Sequence, residues 1–259
     1  MNITMDGRAA IITGGSKGIG LAIATRFAQS GADVAIVARG QESLDAAVAQ
    51  IKGSGAKGKA IGVAADVGSA AGVQKAYEGA MAAFGKLDIA VNNAGTSATG
   101  PFEKLSDEVM QTDLDLKLFA ALRLCRLVWP QMKERKWGRV INILNIGAKA
   151  PRANSAPTSI SRAAGMAFTK VLAGEGAPHN VLVNALLVGL IEADQHEQAA
   201  KRKGIPVAEH YAAMAKDVPL GRIGRAEEFA NMACFLASDA GSYITGTAVN
   251  IDGGRSPVV

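Results

Sequence analysis

A glycine-rich turn near the N-terminus is the first feature of this chain that could bind a ligand. Residues 13–20 read TGGSKGIG, between an apolar run and an amphipathic stretch. Glycines in this arrangement let the backbone N–H groups at a helix N-terminus approach a pyrophosphate. We therefore expect a dinucleotide to bind here, and the residues expected to contact it are Gly14, Ser16, Lys17, Gly18, Ile19 and Gly20.

Two cations indicate which dinucleotide is bound. Arg39 ends the second apolar run, where NAD(H)-binding proteins place a carboxylate against the ribose 2′-hydroxyl, and Lys17 lies inside the glycine turn. Two positive charges without a carboxylate favour a ribose 2′-phosphate. The sequence therefore predicts NADP(H) over NAD(H).

Other polar and small residues stand directly after later apolar runs. The carboxyl ends of parallel strands meet at one edge of a sheet, which is where such folds bind their ligands. We therefore expect these residues to line the same cofactor crevice as the glycine turn. They are Asp66, Val67, Asn93, Ala94, Gly95 and Gly189.

The elements that position these residues follow a regular order. Short apolar runs alternate with longer amphipathic stretches, a pattern typical of a parallel sheet covered by helices on both faces. We predict an α/β fold over residues 1–259, a single-domain, Rossmann-type, doubly wound sheet of seven strands. The predicted strands are 9–13, 34–38, 60–64, 87–92, 140–144, 181–187 and 248–251, and the predicted helices 19–30, 41–54, 69–84, 106–135, 156–176 and 226–238. The polar segment 190–217 breaks the alternation and is predicted to form a lid.

Composition argues against several other classes of protein. The net charge is +5, but no basic run exceeds residues 201–203 and only 5% of residues are aromatic, so we expect no nucleic-acid partner. Cys125 and Cys234 lie in apolar contexts without ligand spacing, which predicts reduced thiols and no metal. No apolar run approaches the roughly 18 residues that span a bilayer, and the N-terminus lacks a signal pattern. We expect a cytoplasmic protein.

Taken together, these motifs resemble those of the classical short-chain dehydrogenase/reductase (SDR) family. The resemblance extends from the glycine turn through NNAG at 92–95 and VNA at 183–185 to ITG at 244–246 and DGG at 252–254. It implies a nicotinamide cofactor, a small-molecule carbonyl or alcohol substrate and a homotetramer. It also implies that Asp66 holds the adenine, that Asn93 lines the cleft, and that Arg39 with Lys17 marks NADP(H).

The chain departs from the family at all four catalytic positions, which normally hold Asn, Ser, Tyr and Lys. Matching AAG at 163–165 and TKVLA at 169–173 to the family helix puts Thr158 at the tyrosine and Arg162 at the lysine. The serine becomes Asn145. The asparagine becomes Lys117, or Asp115 if the match slips by two residues, and only one of these two can face the cleft.

The replacements remove the usual proton path. The aliphatic hydroxyl of Thr158 is far less acidic than a phenol, whose pKa is about 10, and Arg162 stays protonated. Burial and the like charge of Arg162 would lower the pKa of Lys117 and make it a general acid. Asn145 would polarise a substrate carbonyl through its amide. The alternatives are that Lys117 packs its stem along a helix and that Asn145 caps a turn.

Two classes of function are consistent with this sequence. The first is an NADP(H)-dependent oxidoreductase that interconverts a carbonyl and an alcohol with a non-standard catalytic set. The second is a catalytically inactive nucleotide-binding protein that acts as a sensor or partner subunit. Tyr211, in the predicted lid, is a further candidate proton donor that lid closure would bring to the site.

Overall fold

Seven of the strands form one parallel sheet in the computed structural model, which describes residues 3–259. The strands are β1 (Ala9–Thr13), β2 (Asp33–Ala38), β3 (Ala60–Ala64), β4 (Ile89–Asn92), β5 (Thr99–Gly100), β6 (Gly138–Asn145), β7 (Ala156–Pro157), β8 (Val181–Val188) and β9 (Ala248–Ile251). The sheet order is β3-β2-β1-β4-β6-β8-β9. The predicted Rossmann-type fold is confirmed, and each predicted strand lies within two residues of an observed one. The two-residue strands β5 and β7, which pair with each other antiparallel, were not predicted.

Helices cover both faces of the sheet. They are α1 (Gly18–Gln29), α2 (Gln41–Gly53), α3 (Ala70–Phe84), α4 (Asp107–Leu114), α5 (Ala120–Glu134), α6 (Thr158–Gly176), α7 (Asp194–Lys203), α8 (Val207–Ala215) and α9 (Ala226–Ala237). The prediction of one unbroken α-helix over 106–135 was wrong. A π-helical turn, Asp115–Phe119, joins α4 to α5.

The sheet separates the two larger of three apolar cores. In β1, Ala10 and Ile12 pack into the core that contains the buried faces of α1, α2 and α9, whereas Ile11 packs into the core that contains α3 and α5. Successive side chains of a strand point to opposite faces. Burial on both faces explains why this strand is apolar at nearly every position.

The segment that interrupts the strand–helix alternation forms the two helices α7 and α8. Gly204 ends α7 in the left-handed region, with φ +66°, and Pro206 is the N-cap of α8. These two residues therefore separate the helices, as glycine and proline do at helix boundaries. A role as a lid remains a prediction. Within residues 3–259, none of the helices has the length and apolarity needed to cross a bilayer.

Candidate active site

The glycine turn joins β1 to α1 in the geometry expected for pyrophosphate binding. Gly14 and Gly18 have φ angles of +64° and +55°, which residues with a Cβ adopt only at a cost. Gly20 lies so close to the turn that a Cβ there would stand 2.2 Å from Gly14 O. The N-cap of α1 is Lys17, whose side chain does not cap the first turn. The first-turn N–H groups of α1 are therefore suited to bind an anion.

Asn93 holds the glycine turn from the neighbouring strand end. Its Nδ2 donates to Thr13 O at 3.0 Å and to Gly14 O at 2.9 Å. Thr13 Oγ1 in turn accepts from the backbone N–H groups of Asn93 and Ala94, both at 3.0 Å. The side chain expected to line the cleft therefore supports the turn, and Ala94 does so through its backbone.

A cavity of about 470 Å³ opens beyond the second and third strands, and its volume is in the usual range for small-molecule sites. Its polar lining comes from Arg39, Asp66 and Lys75. Lys75 was missed from the sequence because a lone lysine on a helix is usually only a solvated surface residue. What the sequence did show is that Lys75 stands four residues after Ala71, and so on the same face of α3 near its start. Lys17 is not among the lining residues, so the structure places Lys75 with Arg39 here.

These residues fit the adenosine half of a dinucleotide carrying a 2′-phosphate. Two cations, Arg39 and Lys75, face one cavity. The Asp66 carboxylate lies at the rim of this cavity, where its Oδ1 accepts from Gly68 N at 3.0 Å. Val67 is buried in the core behind the cavity, which gives it a packing position.

Two further glycines allow close approaches elsewhere along the crevice. A Cβ at Gly95 would lie 2.5 Å from Arg162 Nη2, and one at Gly189 would lie 2.5 Å from Asp252 Cβ. Gly95 therefore lies against the residues at the catalytic positions. Gly189 lies against the C-terminal turn, and its N–H donates to Ile251 O at 3.1 Å. Ile19 is half-buried and packs its side chain against the apolar core.

The π turn decides which of Lys117 and Asp115 faces inward. The Lys117 side chain is 1% exposed, whereas that of Asp115 is 31% exposed and pairs with Arg123 at 3.2 Å. Asp115 also accepts from Gln111 Nε2 at 2.9 Å. Lys117 is therefore the residue that points toward α6.

Lys117 lies in a buried network of charged and polar groups. Its Nζ forms an ion pair with Asp113 Oδ1 and donates to Thr158 Oγ1 at 2.8 Å. Asp113 Oδ2 accepts from Ser161 Oγ at 2.6 Å. Neither Asp113 nor Ser161 was predicted, although Asp113 lies four residues before Lys117 and so on the same helix face. Arg162 acts on Lys117 as the like charge that was expected, but the direct partner of Lys117 is Asp113.

Opposing effects act on the pKa of Lys117. Burial lowers this pKa and is the largest effect, the hydrogen bond to Asp113 raises it, and the charge of Arg162 lowers it further. The net direction is downward from the usual lysine value. This direction agrees with the one predicted from the sequence.

The residues at the tyrosine and lysine positions of the family are tied to backbone groups. Thr158 Oγ1 donates to Ala98 O at 2.8 Å and accepts from Ala98 N at 3.0 Å and from Lys117. One donor and two lone pairs are all that a hydroxyl offers, so this one is fully used. Arg162 Nη1 donates to Ile143 O at 2.8 Å. Burial lowers the pKa of Arg162 to about 10, which leaves it charged at neutral pH.

Asn145, at the end of β6, carries a buried amide oxygen without a hydrogen-bond partner in the described part of the chain. Asn145 occupies the N-cap position of the following 3₁₀ turn, Ile146–Ala148, as the alternative expected, but its side chain makes no capping bond there. A buried unpaired amide oxygen is costly and is typical of a site that a ligand or water completes. A 180° rotation of the amide would present its NH₂ group at the same point.

Tyr211 lies on α8. Its hydroxyl accepts from the backbone N–H of Ala193, the residue just before α7, at 3.3 Å. Its ring packs edge-on against the ring of His196, with 6.4 Å between the ring centroids. It also lines a second cavity, of about 470 Å³, together with Arg222 and Arg225. The structure therefore gives Tyr211 contacts within the segment 190–217.

Known proteins match this chain over nearly its whole length. The family model described as enoyl-(acyl carrier protein) reductase matches residues 14–256. The short-chain reductase protein NovJ of Streptomyces niveus is 35% identical over 248 residues, which cover 95% of this chain and 93% of NovJ. The chain belongs to the short-chain dehydrogenase/reductase family.

Other members of this family have closely similar sequences and structures. The 3-oxoacyl-(acyl-carrier-protein) reductase FabG of Chlamydia pneumoniae is 34% identical over 254 residues, which cover 98% of this SDR and 99% of FabG. The L-sorbose reductase of Gluconobacter frateurii, solved with NADPH and L-sorbose, superposes with a TM-score of 0.94, at 34% identity and with both chains fully covered. The resemblance inferred from the motifs is confirmed. The roles of the four replaced residues remain predictions.

Proposed function

We propose that this SDR is an NADP(H)-dependent oxidoreductase that interconverts a small-molecule carbonyl and an alcohol with a non-standard catalytic set. The observation that carries the proposal is that Arg39 and Lys75, two cations, line one cavity. This cavity lies at the edge of the sheet that also holds the glycine turn. The similar L-sorbose reductase, solved with NADPH and L-sorbose, supports the same assignment.

The chain's own groups would hold NADP(H) in three places. The N–H groups after Gly18 bind the pyrophosphate, Arg39 and Lys75 bind the 2′-phosphate, and Asp66 binds the adenine. When bound, the nicotinamide supplies a hydride to a carbonyl carbon or accepts one from an alcohol. The protein must then provide or take up one proton at the substrate oxygen.

Lys117 provides that proton in this proposal. An ammonium has three N–H donors, of which Asp113 and Thr158 occupy two, so one remains for the substrate oxygen. The lowered pKa of Lys117 makes its ammonium a better acid than an exposed lysine. Asn145 polarises the carbonyl through its amide, and Arg162 keeps the end of β6 in place through Ile143 O.

A specific observation favours a second candidate, a nucleotide-binding SDR without turnover. The Lys117 side chain is 1% exposed, and the Thr158 hydroxyl is fully hydrogen-bonded within the protein. Such a network would also join α4 to α6 in a protein without turnover. In this candidate NADP(H) binds as in the first, and the protein acts as a sensor or partner subunit.

Turnover separates the two candidates. Wild type, Lys117→Met and the control Lys52→Met, which replaces an exposed lysine on α2, are assayed for NADPH oxidation with a panel of carbonyls and for NADP reduction with alcohols. The proposal expects turnover in wild type and Lys52→Met, its loss in Lys117→Met, and equal NADPH binding in all three. It also expects reductase turnover to fall as pH rises through the lowered pKa of Lys117, because the donor form is the protonated one. If no substrate reacts with any of the three while NADPH binds, the second candidate is favoured.

We also propose that the chain assembles as a homotetramer. Ile160 and Val171 on α6 are 49% and 57% exposed, and Phe119 in the π turn is 36% exposed. Beside the edge strand β9, Tyr243 and Val259 are fully exposed. Exposed apolar surface on α6 and beside β9 suits contacts with further subunits. A monomeric mass in light scattering at micromolar concentration would contradict this proposal.

A further inference from the structure

Asp113 is a buried carboxylate whose two oxygens are both engaged at the catalytic positions. Its side chain is 3% exposed; Oδ1 pairs with Lys117 Nζ and Oδ2 accepts from Ser161 Oγ at 2.6 Å. The three residues come from α4, the π turn and α6. The carboxylate therefore connects the helix that carries Lys117 to the helix that carries Thr158 and Arg162.

Asp113 is also the only negative charge among the described groups that act on Lys117. The other charged group is Arg162, a cation on α6. Three ionised groups thus share this buried region, two positive and one negative. Removing the single negative charge would leave two buried cations facing each other, which is unfavourable for both.

The geometry of Lys117 depends on the same carboxylate. A lysine side chain is a flexible four-carbon stem, and its ammonium can take many positions when nothing fixes it. Here two hydrogen bonds, to Asp113 and Thr158, fix Nζ, and Ser161 fixes the carboxylate by donating to Oδ2. Ser161 Oγ also lies 3.0 Å from Thr158 O, so the serine is itself oriented by the first turn of α6.

We propose that Asp113 is a positioning residue that holds the Lys117 ammonium against the Thr158 hydroxyl, with Ser161 orienting the carboxylate. A purely structural link would not need charges here, because buried ion pairs generally stabilise a fold no more than well-packed apolar residues do. The inference rests on the proposed function only in its catalytic consequence, which is that Lys117 stays charged and oriented as the proton donor.

The test measures the titration of Lys117 directly. Full-length protein with isotopically labelled lysine side chains is titrated by NMR, and the Lys117 signal is assigned by its loss in Lys117→Met. The variants are Asp113→Asn, which removes the charge, Asp113→Glu, which keeps it, and Ser161→Ala, which removes only the hydrogen bond to Oδ2. Lys52→Met serves as the assignment control, because the signal that its spectrum lacks belongs to Lys52, an exposed lysine.

The proposal expects Asp113→Asn to weaken proton binding by Lys117 at least about tenfold, because the carboxylate raises the pKa of this lysine. Ser161→Ala should weaken proton binding by Lys117 by a smaller factor. Asp113→Glu, which keeps the charge, should keep most of the proton affinity of Lys117. A Lys117 titration unchanged in both Asp113→Asn and Ser161→Ala would overturn the proposal. If Asp113→Asn does not fold, Ser161→Ala decides the question, and an unchanged Lys117 titration in it would overturn the proposal.

The pH profile of turnover then separates this inference from the proposed function. If Lys117 is the proton donor, the pH at which reductase turnover falls moves down in Asp113→Asn along with the Lys117 titration and returns in Asp113→Glu. An NMR shift without a matching shift of the pH profile would retain Asp113 as the positioning residue and refute Lys117 as the proton source. The two failures are therefore distinguishable.

Discussion

Reversing the charge of Arg39 is expected to convert the cofactor preference of this SDR. Arg39 lines the cavity of about 470 Å³ that also contains Lys75 and Asp66. In Arg39→Asp the guanidinium is removed and a second carboxylate enters the same cavity. NADPH, with its 2′-phosphate, should bind more weakly, whereas NADH presents a 2′-hydroxyl that a carboxylate can bind.

The size of the effect follows from the charged hydrogen bond between the Arg39 guanidinium and the 2′-phosphate that we propose. A hydrogen bond to a charged group contributes about 1.5–3 kcal/mol, and each 1.4 kcal/mol is a factor of about ten in affinity. We therefore expect Arg39→Asp to weaken NADPH binding by roughly 10- to 100-fold, with repulsion from the new carboxylate adding to that. Arg39 and Lys75 are both exposed. The larger figure applies to Arg39 because a planar guanidinium can bind a phosphate through two hydrogen bonds. Lys75 offers a single ammonium, for which an exposed ion pair contributes up to about 1 kcal/mol, so Lys75→Met should weaken NADPH binding by up to about fivefold.

Isothermal titration calorimetry with NADPH and NADH measures both effects. Lys52→Met, which replaces an exposed lysine on α2 outside the cavity, is the matched control for Lys75→Met. Higher salt should narrow the difference between wild type and Lys75→Met, because interactions between exposed charges are screened. Equal affinity of the wild type for NADPH and NADH would refute the reasoning. A similar weakening for both cofactors in Arg39→Asp would show that Arg39 binds a group that they share.

Two further predictions concern the glycine turn and the thiols. Gly20→Ala should abolish NADPH binding, because its Cβ would stand 2.2 Å from Gly14 O. A Cβ at Gly18 would meet no atom within 4 Å, so Gly18→Ala should reduce the stability of the fold by only about 1–2 kcal/mol because of its positive φ. Calorimetry and thermal melting should therefore distinguish the two variants. Burial raises the pKa of Cys125 to about 12 and also raises that of Cys234, so neither thiol should react with iodoacetamide at about pH 8 in the folded protein. Alkylation of either one in native protein, detected by mass spectrometry, would show that the core around it opens.

The sequence predicted the sheet well because its inner strands are buried on both faces. A strand such as β1 must then be apolar at nearly every position, and apolar runs are visible without a structure. The pair β5 and β7 was missed because two residues each, Thr99–Gly100 and Ala156–Pro157, carry no period. The π turn was missed because it depends on backbone hydrogen bonds, whereas the side-chain pattern of 106–135 fits one continuous helix.

The candidate site was predicted in its positions but not in its connections. The motif assigned Lys117 and Thr158 to two of the four catalytic positions, and the structure joins them at 2.8 Å. It could not show that Ala98, distant in sequence, occupies the remaining donor and acceptor sites of the Thr158 hydroxyl. Asp113 looked like an ordinary charged residue of an exposed helix. Its burial depends on Ser161 on another helix, and no local pattern encodes such a contact.

The π turn has a consequence for how this family member could be altered by changing chain length. Each residue of an α-helix rotates the chain by about 100° around the axis. A π turn has i→i+5 hydrogen bonds and so holds one residue more than an α-helical turn. Removing one residue within Asp115–Phe119 would leave an ordinary α-helical turn, so α4 and α5 would keep their faces while the side chains inside the turn would point in different directions. Lys117 would change direction without any change in the amino acids that form the network. The length of this one turn, as much as the identity of the side chains, decides whether Lys117 supplies charge to the cleft.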